Sequence, residues 1–170
     1  VAFVADPTFR IGEVIYTPID DPENTIKCIA LAMEPNASRW QNAAEITAKI
    51  VKAGKILPPI EFIAPEDYNS WMNRGLPEID DIVLTTEAPL GEIALIKDKN
   101  VALAQRIITL RGRKNIVYNP FLKYYLQDST GQHELQSRAS GTTVFGIKAS
   151  VLKNVPVSLP PLPEQKAIAS

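Results

Sequence analysis

The sequence predicts an α+β domain, in which a twisted, mostly antiparallel sheet carries several short helices. Three apolar, β-branched segments follow one another from Asp81 onward and are separated by turn residues, as expected of neighbouring strands. Two segments with helix-start residues come next, and a proline-rich stretch then leads into the start of a C-terminal helix. Together these patterns indicate a sheet followed by helices.

The first third of the chain gives weaker signals. "IGEVIYTPI" and "IKCIALAM" are predicted as strands, because they are rich in β-branched residues and flank the turn "DDPENT". "RWQNAAEITAKIVKAGKILPP" suits helix and strand equally well. "PEDYNSWMNRG" predicts a short helix, with Pro65 near its start and Gly75 after its end.

The segment from Asp81 predicts a three-stranded β-meander. "DIVLTT" alternates as a strand, "EIALI" is the returning strand after the turn "APLG", and "VALAQRIITL" follows as a longer third strand. The apolar residues of this sheet and of the later helices are expected to form the core. They are Ile82, Leu84, Ile93, Leu95, Ile107, Leu122, Leu126 and Leu152.

Short helices and a final strand are predicted after the meander. "NPFLKYYLQDS" begins with Asn119 as the expected N-cap, and Pro120 suits the first helical position. A polar helix through "GQHELQSRAS" ends near Gly141, "IKASVLKN" is a short third helix, and "VPVSL" is a strand.

The closing residues "LPPLPEQKAIAS" predict a proline ridge followed by a helix that begins at Pro163. Proline suits the first helical turn because that turn does not use its missing N–H, and the charge of Glu164 suits the positive end of the helix dipole. About two turns of helix are too short to be stable alone. We therefore expect this segment to be the start of a longer helix.

Composition is typical of a soluble globular protein, with 45% hydrophobic and 22% charged residues in a chain of 170. No apolar run approaches the roughly 20 residues that span a bilayer, and the N-terminus lacks the basic region of a signal peptide. Cys28 is the single cysteine, which excludes an internal disulfide and is compatible with a reducing cytoplasm. We expect a cytoplasmic protein without membrane contact.

No catalytic, metal or cofactor site is predicted. One cysteine and one histidine, His133, make a structural zinc site or a triad improbable, and "TGQHELQ" reads as an exposed polar helix. "NPF" at Asn119–Phe121 is similar to part of the NPP(Y/F) motif of amino-methyltransferases. A helix cap is the better interpretation, because no Gly-rich turn for a methyl-donor cofactor is present.

The distribution of charge favours a polyanionic partner more than the net charge of −1 does. Residues 1–96 hold seven cationic and fifteen acidic residues, whereas residues 97–170 hold eleven cationic and four acidic ones. Basic and polar loops occur at "RGRK", "KDKN" and "SRASGTTVFGIK", and Arg, Asn and Gln side chains can read bases in a major groove. The expected DNA-contacting residues are Arg111, Arg113, Lys114, Arg138, Thr142, Thr143 and Lys148, with Arg39, Trp40, Asn42 and Arg74 as a second set.

Four blocks in order carry a family resemblance: "RGLPEIDDIVLTTEAPLGEIALI", "AQRIITL", "NPFLKYYL" and "SGTTVFGIKASVLKNVPVSLPPLPEQKAIA". Together they resemble the target recognition domain of a type I restriction–modification specificity subunit. The ridge "SLPPLPEQKAIA" is the most specific of these features. The resemblance covers residues 74–170 well and residues 1–73 only loosely.

The resemblance implies a non-catalytic, sequence-specific reader of double-stranded DNA that needs no cofactor. Residues 1–160 would form the recognition domain, and 161–170 would form the ridge and the start of a long spacer helix. Modification (methyltransferase) subunits and a restriction subunit would act at the DNA so bound, and spacer helices would join a second recognition domain. The expected subunit and spacer contacts are Pro160, Pro161, Pro163, Glu164 and Gln165.

Two alternatives remain at the level of sequence. One is a recognition domain from a fused restriction–methyltransferase enzyme, which would share the fold. The other is a protein-interaction module that uses the PxxP core from Pro160 to Pro163.

Overall fold

The computed structural model describes residues 8–16, 43–46, 48–59, 62–73 and 75–170. These residues form runs of mostly antiparallel strands and a run of short helices, which confirms the predicted α+β class. The strands are β1 (Thr8–Arg10), β2 (Ile15–Tyr16), β3 (Ala43–Ile46), β4 (Val51–Lys52), β5 (Lys55–Ile56), β6 (Phe62–Ile63), β7 (Ile82–Thr85), β8 (Ile93–Leu95), β9 (Val101–Leu103), β10 (Ile107–Gly112) and β11 (Pro156–Ser158). The helices are α1 (Ile11–Val14), α2 (Pro65–Trp71), α3 (Asn119–Gln127), α4 (Ser129–Ser137), α5 (Ala149–Leu152) and α6 (Leu162–Ile168).

The central sheet has the strand order β2-β10-β7-β8, with every neighbouring pair antiparallel. The predicted β7–β8 hairpin is present, but the predicted meander is wrong in its third strand. "VALAQRIITL" is divided near Arg106, whose φ of 66° turns the backbone between β9 and β10. Because of this turn β10 returns along the other edge of β7, with Ile107 opposite Thr85, and does not pair with β8.

Smaller sheets flank the central one. Strand β9 pairs in parallel with β3, and β6 pairs antiparallel with β3 on its other side. Strands β4 and β5 form a tight hairpin, in which Ala53 and Gly54 both have positive φ, as a two-residue turn that matches strand twist requires. Strand β1 pairs antiparallel with β11, so an early segment of the chain lies beside a late one.

In the first third of the chain, one of the two predicted strands is partly helical. Residues 11–14 of "IGEVIYTPI" form α1 and Ile15–Tyr16 form a strand, while residues 17–19 lie outside the described part of the chain. The helix forms because the N–H groups of Ile11 and Gly12 donate to the carbonyls of Val155 and Lys153, while Glu13 accepts from the N–H of Arg10. The expected strand "IKCIALAM" lies outside the described residues.

The core lies on both faces of β7, because successive residues of a strand point to opposite sides of the sheet. On one face Ile82 and Leu84 pack with Leu122, Leu126, Leu135, Leu152 and other apolar residues of the helices and β11. On the other face Val83 packs with residues of β3, β4, β8 and β9. Of the eight predicted core residues, Leu95 and Ile107 are partly exposed and the remaining six are buried.

Helices α3 and α4 meet at a very close contact. A Cβ atom on Gly131 would lie 2.2 Å from the carbonyl oxygen of Tyr125, so only glycine fits there without displacement of backbone. Asp128 between the helices is the N-cap of α4, and its carboxylate accepts from the N–H of Thr130 at 3.1 Å. The chain thereby changes direction within a single residue and covers the sheet with both helices.

Candidate nucleic-acid interface

The expected DNA-contacting residues fall at the two ends of β10 and its neighbour β7. Arg113 and Lys114 follow the last residue of β10. The segment from Arg138 to Lys148 instead joins the opposite end, where the N–H of Ile147 donates to the carbonyl of Thr86 just after β7. Six residues of strand span about 20 Å, so the structure separates the predicted residues into two groups.

Arg111 is buried in the domain interior and is not part of either group. Its guanidinium donates to both carboxylate oxygens of Asp81, at 2.7 and 2.6 Å, and to the carbonyl of Leu76 at 3.1 Å. Arg111 is 8% exposed and Asp81 is 1% exposed. Burial raises the pKa of the Asp81 carboxyl, while the hydrogen bond and charge of Arg111 act in the opposite direction. Since its donors face inward, we leave Arg111 out of the proposed DNA-contacting set.

The basic turn after β10, residues 113–118, is formed by local backbone bonds. The N–H groups of Ile116 and Val117 both donate to the carbonyl of Arg113, and Asn115 has a φ of 65°. Arg113 and Lys114 are exposed on this turn. Two cations are therefore held at the surface at the entrance to α3.

Asn119 supports this turn, but it is not the N-cap of α3 that the sequence predicts. The N-cap of α3 is Tyr118, and Asn119 is the first helical residue. The side-chain oxygen of Asn119 accepts from the N–H of Gly112 at 2.8 Å, and its amide nitrogen donates to the carbonyl of Asp80 at 2.9 Å. It thus joins the end of β10 to Asp80, two positions before β7.

The second group lies on and around a closed loop, residues 140–146. Ser140 and Gly146 exchange two backbone hydrogen bonds, of 2.9 and 3.0 Å, and thereby close the loop. All five residues between them are exposed. Thr142 and Thr143 are therefore exposed to solvent, and their expected contact with DNA stays a prediction.

Arg138 and Lys148 flank the closed loop on its two sides. Arg138 follows the last residue of α4 and pairs with Glu134, whose carboxylate and backbone oxygens both accept from it. Lys148 is exposed and precedes α5 as its N-cap residue. At the base of the loop, Arg106 pairs with Glu87 at 2.9 Å. Both signs of charge therefore surround the exposed hydroxyls.

Four predicted residues lie outside the described residues: Arg39, Trp40, Asn42 and Arg74. Their expected role in DNA contact stays a prediction.

The proline ridge and α6 are attached to the domain through Gln165. Its side-chain oxygen accepts from the N–H of Tyr118 at 2.8 Å, and its amide nitrogen donates to the carbonyls of Ile116 and Pro160, each at 2.9 Å. Gln165 and Pro160 are buried, whereas Pro161, Pro163 and Glu164 are exposed. Of the five expected subunit-contact residues, the structure therefore leaves these three at the surface.

A cleft of about 600 Å³ opens beside the β4–β5 hairpin. Its lining is mainly apolar, from residues such as Ile46, Ile56 and Val101, and Lys55, Lys97 and Lys123 also line it. Within the described residues no group of three His, Cys, Asp or Glu side chains is placed to hold a metal ion. In the same part of the chain, no helix is long and apolar enough to cross a membrane.

The apolar tip of the closed loop, Val144 and Phe145, is not among the residues predicted from the sequence. Val144 is 48% exposed and Phe145 is 64% exposed, the highest value among large apolar side chains in the described residues. A signal for them is present in "SGTTVFG", where two glycines bracket four residues and the last two of these are apolar. Bracketing glycines indicate a tight loop, and a tight loop exposes its central residues.

Comparison with known proteins identifies the class of this domain. The model of the type I restriction modification DNA specificity domain matches residues 42–170, most of the chain. The chain belongs to this family. The match favours a specificity-subunit domain over a fused restriction–methyltransferase or a proline-ridge interaction module.

Curated relatives and solved structures agree with this assignment. The chain is 30% identical over 101 residues to a putative type I restriction enzyme MjaX specificity subunit and 31% identical over 122 residues to the MjaVIII specificity subunit, both from Methanocaldococcus jannaschii. These matches cover 58% and 68% of this chain but only 23% and 29% of the relatives.

The fold matches the crystal structure of the HsdS subunit from Thermoanaerobacter tengcongensis with a TM-score of 0.67 at 19% identity, over 98% of this chain and 40% of that one. It also matches the type I S subunit from M. genitalium with a TM-score of 0.56 at 18% identity, over 99% and 38% of the two chains. These likenesses confirm the fold.

Proposed function

We propose that this chain recognises a specific sequence of double-stranded DNA on behalf of a type I restriction–modification complex. The observation that carries the proposal is the match of a DNA specificity domain to residues 42–170. Residues 1–160 act as the recognition domain, and 161–170 supply the proline ridge and the start of the spacer helix. The chain works in the cytoplasm, without membrane contact and without a cofactor.

Two surfaces carry the DNA contacts. The exposed cations Arg113 and Lys114 bind phosphates from the basic turn. Thr142 and Thr143 bind from the closed loop, and Lys148 binds from the position beside it. The excess of cations over acids in residues 97–170 supports this, because neutralisation of phosphates releases counterions and drives binding. The two surfaces lie at opposite ends of β10, whose six residues span about 20 Å, so they engage phosphates at separate positions on the duplex.

The domain directs chemistry without performing it. Modification subunits methylate and a restriction subunit cleaves at the DNA that the chain holds. The exposed side chains of Pro161, Pro163 and Glu164 are available for contact with these subunits or with the spacer helix of a second recognition domain. Gln165 supports this arrangement from inside the domain, because it fixes the direction in which α6 leaves it.

Selection from a randomised duplex library tests sequence recognition. We expect a short defined motif to be enriched, and a duplex with that motif to bind more tightly than a scrambled duplex of the same composition. Equal recovery of all sequences would contradict specific recognition, and absence of binding at low salt would contradict any role in DNA contact.

Paired charge removal tests the basic turn. In the double variant Arg113→Ala with Lys114→Ala, we expect the slope of log affinity against log salt to fall by about 0.9 for each lost phosphate contact. The double variant Lys52→Ala with Lys55→Ala removes two exposed cations from the β4–β5 hairpin and serves as the matched control. Equal effects of the two double variants would show that net charge acts, and not the basic turn.

A further inference from the structure

The closed loop carries an apolar tip whose purpose is not explained by phosphate contact. Val144 and Phe145 are adjacent, and both are largely exposed. Single exposed apolar residues are common on protein surfaces. This pair is different because it stands beside the exposed hydroxyls of Thr142 and Thr143, on a loop that the fold holds firmly.

The backbone of the closed loop is constrained at its base and at its turn. Beyond the two bonds between Ser140 and Gly146, the N–H of Ile147 donates to Thr86, and the Ile147 side chain is buried in the core. Gly141 has a φ of +138°, and a Cβ atom there would lie 2.0 Å from the carbonyl oxygen of Val144. The fold itself therefore orders the tip, and little further ordering is required when it binds a partner.

The chemistry of the tip matches one way of contacting DNA. A phenyl ring and an isopropyl group cannot hydrogen-bond to base edges or phosphates, but apolar side chains of this kind can insert between stacked base pairs. Such a wedge needs polar groups beside it that hold the sugar–phosphate backbone. Thr142 and Thr143 precede the wedge and Lys148 follows it, all exposed.

We propose that Phe145, supported by Val144, inserts between two neighbouring base pairs of the recognised duplex and partly unstacks that step. The proposal rests on the proposed function, because it requires a bound duplex. It adds a specificity element that makes no base-edge hydrogen bond. Pyrimidine–purine steps unstack most easily, so the wedge favours such a step at its position in the site.

The test places 2-aminopurine, a base whose fluorescence rises on unstacking, at successive positions of the duplex enriched by the selection. We expect the unaltered chain to raise fluorescence at one step. Phe145→Ala removes this rise and weakens binding by at least about fivefold, the low end of the cost of losing a stacked aromatic. Phe145→Leu, which keeps an apolar wedge, retains part of both effects. Phe62→Ala is the matched control, since Phe62 is 57% exposed but lies in β6 of another sheet.

Three other outcomes would contradict the insertion of Phe145 between base pairs. Two of them leave the proposed function intact. If the unaltered chain binds its enriched duplex but no position brightens, Phe145 does not insert. If Phe145→Ala binds and unstacks like the unaltered chain, the ring is not the inserting group. If the unaltered chain enriches no duplex at all, the proposed function fails and the wedge fails with it.

Discussion

At the scale of single residues, the ion pair between Arg111 and Asp81 joins β10 to the start of β7. Both partners are buried, and Arg111 also satisfies the carbonyl of Leu76. Removal of one partner leaves a buried charge without compensation. We therefore expect Arg111→Met to lower the free energy of unfolding by about 3–5 kcal/mol, measured by urea titration.

The double variant Arg111→Met with Asp81→Leu separates charge burial from packing. Because it removes both charges, it is expected to be more stable than Arg111→Met alone. Arg113→Ala, one residue beyond β10 and exposed, is the control and leaves stability unchanged. An unchanged unfolding midpoint for Arg111→Met would contradict a structural role for this pair.

Gly131 lies at the close contact between α3 and α4. Because a Cβ atom would lie 2.2 Å from the carbonyl oxygen of Tyr125, Gly131→Ala must move the backbone of α3 or α4. Overpacking of this kind costs about 1–3 kcal/mol, although alanine favours helix more than glycine does. Gln136→Ala, on the exposed face of α4, is the control. A Gly131→Ala protein as stable as the unaltered one would show that the helices can separate freely.

At the scale of elements, Asp128 makes the start of α4 dependent on pH. The N–H groups of Thr130 and Ser129 hold the pKa of its carboxyl below the ordinary value. A lowered pKa means that the cap stabilises fully above the unfolded-state pKa of about 3.9, and that this contribution disappears as pH falls through the lower folded-state pKa.

Substitution at Asp128 tests this dependence by thermal unfolding across pH. Asp128→Asn keeps a capping side chain but cannot titrate, so its melting temperature equals or exceeds that of the unaltered protein as the pH falls below about 3.9. Asp128→Ala has a lower melting temperature at neutral pH because it removes the cap. A constant difference between the aspartate and asparagine proteins at all pH values would contradict the assignment.

Gln165 determines how α6 is attached to the rest of the domain. Gln165→Ala leaves the N–H of Tyr118 and the carbonyls of Ile116 and Pro160 without this partner. Each buried polar group left unpaired costs about 1–3 kcal/mol, so we expect lower stability and faster amide hydrogen exchange in α6. The exposed neighbour Lys166 provides the control, Lys166→Ala. Equal exchange in both variants would show that α6 is attached by other contacts.

Elements with strong local patterns could be predicted from sequence, whereas their partners could not. Strands β7 and β8 and helices α3 and α4 agree with their predicted positions because their periodicity and start residues are local. The pairing of β10 with β7, and not with β8, depends on a turn at Arg106 that no neighbouring glycine or proline signals. Helix α1 in a β-branched segment depends on acceptors at Lys153 and Val155, more than 100 residues away.

At the scale of the whole molecule, part of the candidate site could be predicted from the sequence and part could not. The basic turn and the closed loop could be found from composition, because cations and glycines mark loops locally. The sequence could not show that Arg111 is buried while Arg113 is exposed. This difference depends on Asp81, which lies 30 positions before Arg111 in the chain. Charge along the sequence therefore predicts the type of partner but not which cations meet it.

The central claim, that this domain reads DNA sequence, is tested most directly by affinity for an enriched and a scrambled duplex across a range of salt concentrations. We predict that log affinity falls linearly with log salt for both duplexes, because phosphate contacts release counterions. We predict also that the enriched duplex binds at least about fivefold more tightly at every salt concentration, the low end of the cost of one mismatched base pair. Equal affinities for the two duplexes at all salt concentrations would contradict the claim.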